Sequence, residues 1–455
     1  MNFKEIFLLL AIATVINAEY VSYKNYKVYK IIPSTDNEVQ ILTDLKKQNE
    51  YMYWTDTVAL NTDVKIMVSP KKQADFESYF KSVQIPTNVV IEDVQEQINY
   101  QLRRPATRSS TYAWDYYQSL DEIYEWLDQI AATYPDIVTP VTIGSSVQGR
   151  PIRGVIIDYK KQENPIIGMM EGGIHAREWI SPATVTYIIN DFLTSTDPDV
   201  RFMAENIVWH IFPVTNPDGY VYTFSDNRMW RKNRNTANHT SCAPWNLSDD
   251  ISNGIDLNRN FGFLWMTAGA SQLACAETFA GPVEFSEPES RAIANYVLTI
   301  KEQGNMIYYF AFHSYSQLVL VPFSHTFGTG VLEAPNYADM YEIAVRGMDE
   351  LKAKHGTEYI VGTSADVLYE TSGGSFDWVK GVAEIPIVYL FELRDVGEYG
   401  FLLPPERIIP NNEEMMAGLI EIEKVTRGMG YYRINSGEKA MFSVLLLAIA
   451  LFVTL

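Results

Sequence analysis

The chain is poor in positive charge, and this shortage limits the partners it can have. Its 455 residues hold 36 Lys and Arg against 56 Asp and Glu, a formal net charge of −20. A partner that presents a phosphate backbone requires basic stripes, so nucleic-acid binding is set aside. Charged residues make up 20% of the chain and hydrophobic residues 47%, which is typical of a globular protein with a sizeable core and not of a disordered one.

Cysteine is scarce as well, since the chain contains only Cys242 and Cys275. In an exported protein an even pair favours one disulfide, and two free buried thiols are the alternative. Glycosylation sequons begin at Asn238 and Asn246, on either side of Cys242, in a polar stretch. Their position indicates a glycosylated loop at the surface.

The two ends of the chain differ from its middle. Residues 1–18 (MNFKEIFLLLAIATVINA) resemble a secretory signal and are too short to span a bilayer comfortably. A second apolar run occupies 440–455, and the small residues Gly428, Gly430 and Ser436 precede it. This order suits a lipid-anchor signal that is removed on maturation, and a retained short membrane segment is the alternative. Both ends favour a secreted or cell-surface protein.

A domain boundary is predicted near residue 108. Residues 19–108 carry as many basic as acidic side chains, whereas acidic residues prevail beyond them. In this first section β-rich runs alternate with helical runs, which is typical of a small α/β sandwich. The stretch QLRRPATRSS (101–110) has no apolar periodicity and is interpreted as a linker. A trypsin-like protease would cut it after Arg108, whereas Pro105 protects the bond after Arg104.

Beyond the linker, from about 109 to 430, the pattern indicates one large α/β domain without internal repeats. Capping-box spacings at Ser119–Glu122 and Ser286–Glu289 predict the starts of two helices. Between the helical runs lie short segments that are apolar on both faces, which is typical of central strands covered by helices. These segments are NPIIGMME, NIVWHIFPV, MIYYFAF and IPIVYLF.

Three of these predicted strands end in chemically useful residues. PIIGMME leads to His175 and Glu178. MIYYFAF leads to His313, and IPIVYLF leads to Glu392. Sites in open α/β sheets form at the carboxyl ends of strands, so we expect these residues to converge. Two histidines and a glutamate suit a zinc ion with one open position, which would leave Glu392 to accept a proton from water.

Seven motifs occur in order along residues 109–430. They are GIHAREWIS (173–181), NPDGY (216–220), RMWRKNR (228–234), GIDLNRNF (254–261), FHSYSQ (312–317), YETSGGSFDW (369–378) and FELRD (391–395). Together they resemble the zinc metallocarboxypeptidases of the A/B type. The resemblance implies an α/β fold with a large mixed sheet and helices on both of its faces. Residues 19–108 resemble the family's activation segment, a ferredoxin-like open α/β sandwich that covers the active-site cleft until proteolysis.

The resemblance also implies roles for the residues of the site. His175, Glu178 and His313 would bind one Zn²⁺, and Glu392 would be the general base. Arg231 would stabilise the oxyanion, because a fixed cation aimed at developing charge lowers the barrier.

Other residues match the positions at which the family binds substrate. Asn258, Arg259 and Tyr369 would hold the terminal carboxylate of the substrate, for which the planar fork of an arginine is well suited. Arg177 and Tyr315 match subsites further from the scissile bond.

The specificity pocket is expected to be apolar. By the family's motif its floor is Phe376, and Leu390 lines it as well. An uncompensated charged side chain would lose several kcal/mol on entering such a pocket, so we predict a preference for C-terminal apolar or aromatic residues. The bulk of Phe376 would narrow the pocket toward aliphatic side chains.

The chain departs from the family in two places. The interval between Arg231 and Asn258 is long, and a surface loop tied down by a Cys242–Cys275 disulfide, like the family's pair, would explain it. The apolar tail is the second departure and favours a cell-surface enzyme. The remaining histidines match no catalytic position and are interpreted as structural or exposed: His210, His239, His325 and His355.

The sequence thus predicts a secreted or surface-anchored zinc carboxypeptidase made as a zymogen. Its parts would be a signal peptide (1–18), an activation domain (19–108), a catalytic domain (109–430) and an apolar tail (431–455). Its partners would be peptide or protein C-termini and a trypsin-like activating protease. The alternatives are a non-catalytic protein that binds peptide C-termini, for which a lost ligand or base would be the sign, and a zinc amidase acting on non-peptide carboxylates.

Overall fold

The computed structural model describes residues 20–48, 50–55, 58–104, 112–242, 249–327 and 330–434. Four predicted features lie outside the described residues: the signal peptide (1–18), the cleavage site at Arg108, the sequon at Asn246 and the apolar run 440–455. Within the described ranges, no helix combines the length and the apolar character needed to cross a bilayer.

Residues 20–104 form a small α/β sandwich. Its elements are β1 (Lys27–Ile31), α1 (Asp36–Lys47), β2 (Met52–Tyr53), β3 (Val64–Val68), α2 (Gln73–Ser82), β4 (Asn88–Ile91) and α3 (Val94–Gln101). The strands are antiparallel in the order β2-β3-β1-β4, with α1 after β1 and α2 after β3, which is the ferredoxin-like arrangement. Leu42 of α1 and Phe76 of α2 pack against one face of the sheet. The predicted ferredoxin-like sandwich is therefore confirmed.

The larger unit is built around a mixed sheet. Its elements are α4 (Leu120–Thr133), β5 (Val138–Ser145), β6 (Pro151–Ile157), β7 (Ile166–Glu171), α5 (Ile180–Thr194), α6 (Pro198–Asn206), β8 (Val208–Phe212), α7 (Pro217–Ser225), α8 (Pro288–Lys301), β9 (Asn305–Ser314), β10 (Leu318–Val321), β11 (Thr326–Phe327), β12 (Gly330–Val331), α9 (Tyr337–His355), β13 (Ile360–Thr363), α10 (Ser364–Val367), α11 (Ser375–Gly381), β14 (Ile387–Leu393) and α12 (Ile408–Gly428). The order of the eight strands in the sheet is β13-β10-β14-β9-β7-β8-β6-β5.

The central strands are buried on both faces, as predicted from their continuous apolar runs. On β9, Tyr308, Phe310 and Phe312 belong to one apolar cluster, together with residues of α4, α5, α9 and α12. Tyr309 and Ala311 belong to a second cluster, together with residues of α8 and α11. Because successive side chains of a strand point to opposite faces, the helices cover both sides of the sheet.

Three parallel strands bring the predicted site together. β14, β9 and β7 are neighbours, so their carboxyl ends lie at the same edge of the sheet. Glu392 on β14 is paired in register with His313 on β9. His175 follows the end of β7 by four positions. The topology therefore places these residues at one edge, as expected from the strand-end pattern.

The helix start predicted at Ser119 is confirmed. The hydroxyl of Ser119 accepts a hydrogen bond from the backbone N–H of Glu122, and the carboxylate of Glu122 accepts one from the backbone N–H of Ser119. This capping box satisfies two donors that the first turn of α4 would otherwise leave free.

The second predicted capping box, Ser286–Glu289, is wrong. α8 begins at Pro288, and its N-cap, Glu287, makes no capping hydrogen bond with its side chain. Ser286 donates to the Glu287 carboxylate, whereas Glu289 accepts from the backbone N–H of Val147. The Glu289 carboxylate therefore joins α8 to the turn between β5 and β6, a use that its spacing in the sequence does not reveal.

The face of the small sheet opposite α1 and α2 packs against the larger unit. Val28 and Met67 of the sheet share a buried cluster with Met229, Phe401 and Leu402 of the larger unit. An open sandwich needs such a partner, because its second face would otherwise expose apolar side chains to water.

Gln101 is a polar centre of this interface. Its side-chain nitrogen donates to the carbonyls of Phe401 and Leu403, each at 3.1 Å. Its side-chain oxygen accepts from Nε of Arg228 at 2.8 Å, and the Arg228 guanidinium is fully buried. Removing Gln101 would therefore leave a buried cation without one of its acceptors.

We predict that Gln101→Ala loosens α3 from the larger unit. The loss of a hydrogen bond to a buried charge is worth about 1–3 kcal/mol, so the amides of α3 should exchange hydrogen about tenfold faster or more. Hydrogen exchange followed by mass spectrometry checks this. Glu96→Ala, on the exposed side of the same helix, is the control and should leave the exchange unchanged. Equal exchange rates in the two variants would contradict the prediction.

Candidate active site

Hydrogen bonds fix the backbone of the loop after β7 at Gly172 and Gly173, just before His175. Gly173 has a φ of 64°, in the left-handed region that favours glycine. The backbone N–H of Gly172 donates to the carbonyl of Phe212, and that of Gly173 donates to the hydroxyl of Ser181. The Ser181 hydroxyl in turn donates to the carbonyl of Phe312 at 2.6 Å. The loop is therefore fastened to both neighbouring strands, β8 and β9.

His175, Glu178 and His313 meet in a buried cluster. Nδ1 of His175 lies 2.8 Å from Oε1 of Glu178 and 3.1 Å from Nδ1 of His313. Nδ1 of His313 lies 3.2 Å from Oε2 of Glu178. The candidate ligand atoms all lie within 4.8 Å of one another. We call these three residues the metal cluster.

The metal cluster fits a zinc ion. Its two facing imidazole nitrogens cannot both donate to each other, so at least one presents a lone pair to the other. When neither Nδ1 carries a proton, a shared cation would satisfy both lone pairs together with the carboxylate. Two imidazoles and one carboxylate form a donor set that zinc uses in catalytic sites.

Asp256 holds the outer side of the metal cluster, and the sequence motifs alone assign it no role. Its Oδ1 lies 3.1 Å from Nε2 of His175. A bond at Nε2 directs the lone pair of Nδ1 toward the cluster. The other oxygen, Oδ2, accepts from Nη2 and Nε of Arg231 at 3.0 and 3.1 Å. An acid between two apolar residues in GIDLNRNF marks Asp256 as a buried carboxylate, but it does not reveal which side chains the carboxylate binds.

Neighbouring charges keep the carboxylates of the site ionised. Burial raises the pKa of Asp256, but the positive charges of Arg231 and Arg259 hold that pKa well below its usual range. Burial also opposes the ionisation of Glu178, whose pKa is nevertheless lowered by its two histidine neighbours. Burial lowers the pKa of His313 and so favours its neutral ring, the form that binds a metal.

Arg231 and Glu392 lie at the rim of the metal cluster. Nη1 of Arg231 is 3.8 Å from Oε1 of Glu178, and its guanidinium is buried. Glu392 is half-buried and lines the same cavity as the metal cluster. A cation therefore lies beside the metal cluster, and a carboxylate from the position paired with His313 lines the same cavity.

The residues predicted to hold a terminal carboxylate also lie together. Arg259 donates from Nη1 to the carbonyl of Asn258 at 3.0 Å and from Nε to the carbonyl of Gly269 at 2.9 Å. Its Nη2 lies 3.5 Å from the hydroxyl of Tyr369. The side-chain oxygen of Asn258 accepts from the backbone N–H of Ser375 at 2.9 Å. Asn258, Arg259 and Tyr369 all line the cavity.

Comparison with known proteins identifies the family to which this arrangement belongs. Residues 123–418 match the family described as zinc carboxypeptidase, which is more than half of the chain. The chain belongs to the zinc carboxypeptidases. Residues 29–101 match the carboxypeptidase activation peptide, so the ferredoxin-like sandwich is an activation segment and the chain is a zymogen.

Individual relatives of this zinc carboxypeptidase match between 70% and 93% of the chain. It is 38% identical over 430 residues to zinc carboxypeptidase A 1 of Anopheles gambiae, covering 93% of this chain and 95% of the relative. It is 45% identical over 317 residues to the zinc carboxypeptidase of Simulium vittatum, covering 70% of this chain and 98% of the relative. The crystal structure of carboxypeptidase A from Helicoverpa armigera matches with a TM-score of 0.78 at 28% identity, covering 90% of this chain and 99% of that one.

One wall of the carboxypeptidase cavity is apolar. Phe376, Leu390 and Leu320 line it, and all three belong to the same buried apolar cluster. Tyr315 also lines the cavity. Arg177 is buried outside the described lining, with its guanidinium 4.2 Å from the ring centre of Phe401. The structure thus brings together all the predicted substrate residues except Arg177.

The activation segment forms part of the wall of the cavity, whose volume is about 360 Å³. Its residues on the cavity wall are Trp54, Thr55, Ala59, Thr62, Asp63 and Lys65. The ammonium of Lys65 donates to the carbonyl of Val396 at 2.9 Å and lies 5.5 Å from the ring centre of Tyr315. Burial lowers the pKa of Lys65, partly offset by Asp63. The segment therefore lies at the approach to the site.

The predicted metal ligands and the predicted base are all present in the chain. Nothing therefore favours the non-catalytic alternative.

The disulfide implied by the resemblance is present between Cys242 and Cys275. Asn238, in the same region, is partly exposed. Lys232 donates to the carbonyls of Ala274 and Ala276 at 2.8 and 3.0 Å, so the chain around Cys275 is held on both sides.

We predict that Asp256→Asn weakens zinc binding by about tenfold to a hundredfold, the usual cost of losing an outer partner of a ligand histidine. The variant keeps the shape of the side chain but loses the charge that orients His175 and anchors Arg231. Competition with a chromogenic chelator measures the dissociation constant. Asp121→Asn, an exposed change of the same chemistry, is the control. An unchanged constant in Asp256→Asn would show that Asp256 does not support the metal cluster.

Proposed function

We propose that this zinc carboxypeptidase is secreted and, after a trypsin-like protease has cut the linker at Arg108, removes apolar or aromatic residues from the C-termini of peptides and proteins. One observation carries the proposal. The metal cluster, the set of Asn258, Arg259 and Tyr369, and an apolar wall all line a single cavity.

The terminal carboxylate of the substrate is the group that this site would recognise. Arg259 offers a planar fork of donors that matches two carboxylate oxygens, and Asn258 and Tyr369 add further donors. Arg259 is only 2% exposed, so its attraction for a carboxylate is weakly screened by water. Because a free carboxylate must occupy this set, only the last peptide bond of a chain would reach the metal cluster.

Glu392 is the residue we assign to proton transfer. Its place at the end of β14, in register with His313, puts its carboxylate beside the metal cluster and at the cavity wall. From there it would take a proton from the attacking water and pass it to the leaving amine. Zinc, held by His175, Glu178 and His313, would act as a Lewis acid that activates water and polarises the scissile carbonyl.

Arg231 is the residue we assign to the oxyanion. Its guanidinium is buried, and the two hydrogen bonds that it donates to Asp256 fix its orientation before substrate arrives. A donor that needs no reorganisation stabilises the negative charge of the tetrahedral state most effectively, typically by a factor of about 10²–10³ in rate.

The apolar wall supports the proposed specificity. Phe376 and Leu390 are 1% and 3% exposed and offer no charge to a substrate side chain. Among the described lining residues, the carboxylates are Glu178, Glu392 and, on the activation segment, Asp63, and none belongs to this wall. A lysine or glutamate side chain entering here would be desolvated without a partner.

The features that favour export support the proposed location. They are the signal-like run 1–18, the disulfide and the sequons. Attachment to the cell surface through the tail at 431–455 is the finer proposal, and the apolar run that ends the chain supports it.

The proposed activity is tested with blocked dipeptides ending in Phe, Leu, Lys or Glu, before and after treatment with trypsin. We expect hydrolysis to appear on cleavage, to prefer Phe or Leu, and to disappear when a chelator removes zinc. Arg108→Gln combined with Arg103→Gln is the matched control, because it removes the linker bonds that trypsin could cut, Arg104 being protected by Pro105, and activation should fail. Zinc-loaded and verifiably cleaved protein that hydrolyses none of the four substrates would overturn the proposed function.

We predict that Phe376→Asp exchanges the specificity of the pocket. A carboxylate surrounded by Leu320 and Leu390 should lower kcat/KM for the substrate ending in Phe by about a hundredfold and should create activity on the substrate ending in Lys. Phe376→Leu, which stays apolar, should keep the preference for apolar substrates. The same preference in both variants would mean that Phe376 does not line the specificity pocket.

A further inference from the structure

A buried carboxyl group lies beneath the site and has no part in the proposed reaction. Glu171 is the last residue of β7 and is 1% exposed. Its Oε1 accepts from the hydroxyl of Tyr309 at 2.5 Å and from the hydroxyl of Ser375 at 2.6 Å. Its Oε2 is buried and has no hydrogen-bond partner among the described residues. Burying a carboxyl group is costly, and burial raises the pKa of Glu171, so its placement calls for a physical reason.

Ser375 connects this carboxyl group to the substrate side of the site. Its hydroxyl donates to Glu171, and its backbone N–H donates to Oδ1 of Asn258. With Oδ1 engaged in this way, the amide group of Asn258 has its donor nitrogen turned away from Ser375. The position of Ser375 therefore sets the orientation of the Asn258 side chain.

The turn that carries Ser375 is packed closely on the chain around Arg259. Gly373 has a φ of 71°, and a Cβ there would lie 2.2 Å from the carbonyl oxygen of Arg259. The backbone N–H of Phe261 donates to the carbonyl of Gly373 at 2.9 Å. A shift of the turn would consequently move both residues proposed to hold the substrate carboxylate.

At its other end, Glu171 belongs to the strand that leads to the metal cluster. β7 continues through two glycines into the loop that carries His175 and Glu178. The bond from Ser375 to Glu171 therefore joins the base of that loop to the turn behind Asn258. It spans 204 residues of sequence and fixes the distance between the two halves of the site.

We propose that Glu171 is a positioning residue for substrate binding. Through Ser375 it holds the carboxamide of Asn258 toward the C-terminal carboxylate of the substrate, at a fixed distance from the metal cluster. This inference rests on the proposed function, since it takes the Asn258–Arg259 set to be the carboxylate site.

The test compares two variants that each remove one hydrogen bond to the same oxygen of Glu171. Ser375→Ala breaks the connection to Asn258 but keeps the backbone N–H that Asn258 uses. Tyr309→Phe removes the other bond, which comes from β9. The probes are 3-phenylpropionate and its neutral amide, bound to the activated, zinc-loaded enzyme. The steady-state constants for a blocked dipeptide, the bound zinc and the melting temperature are measured in parallel.

We expect Ser375→Ala to weaken binding of 3-phenylpropionate about fivefold to tenfold, the usual effect of a displaced hydrogen-bond donor. The dissociation constant of the neutral amide should stay within twofold of its value in the unaltered enzyme. KM should rise more than kcat falls, because the lost interaction binds substrate and transition state alike. Zinc content should not change. Tyr309→Phe should lower the melting temperature, yet the dissociation constants of both probes should stay within twofold of those of the unaltered enzyme. Equal effects of the two variants on the acid, or no effect of Ser375→Ala, would overturn the inference.

Changes at Glu171 itself provide the second arm. Glu171→Gln keeps an acceptor for Ser375 and should bind 3-phenylpropionate within twofold of the unaltered enzyme. Glu171→Leu has a similar volume but no acceptor, and it should reproduce Ser375→Ala. Equal binding by the Gln and Leu variants would overturn the inference. Failure of the proposed function is distinguishable, because the unaltered enzyme would then neither hydrolyse the dipeptides nor prefer the acid to the amide.

Discussion

The active site depends on one buried anion in particular, the carboxylate of Asp256. One of its oxygens contacts His175 and accepts from the backbone N–H of Asn258, while the other binds Arg231. A lone charge in this position would be strongly destabilising, and it is stable only because the surrounding cations compensate it. Asp256 thus contacts three groups with different proposed functions: His175 as a metal ligand, Arg231 as the oxyanion cation and Asn258 as part of the carboxylate site. Removing Arg231 would leave the buried charge of Asp256 less compensated, and removing Asp256 would leave Arg231 and His175 without the partner that they share.

Much of this site could be predicted from the sequence, because its chemistry is attached to regular elements. Apolar runs on parallel strands end at a common edge, so the pattern of residues alone is enough to expect His175, His313 and Glu392 to converge. The roles of Asp256 and Glu171 could not be predicted in this way. Each acts through side chains that are distant in sequence, and a buried acid in an apolar stretch looks the same whether it binds a histidine or a serine. The failed capping box at Ser286–Glu289 has a similar cause, since Glu289 binds the remote backbone of Val147.

The resemblance implies that the activation segment covers the cleft, but the side chains that form this contact could not be predicted from the sequence. The balanced charge of residues 19–108 gives no indication of how the segment docks, and the interface contains an apolar cluster and a few buried hydrogen bonds. Gln101 and Lys65 are polar residues whose spacing is ordinary. Their importance comes from where the fold carries them: one lies between two carbonyls and a buried arginine, the other over Tyr315 at the mouth of the cavity.

These contacts imply that the zymogen is silenced by blocked access and not by a distorted site. The metal cluster is held by bonds among His175, Glu178 and His313, and Asp256 supports it; all four residues belong to the catalytic unit. The activation segment, in contrast, contributes side chains such as Trp54 and Lys65 to the outer wall of the cavity. On the proposed activation by cleavage, the cut therefore need not build or rearrange the proposed catalytic groups. It would only have to let the segment leave, because the charges that orient the site are already balanced within the larger unit.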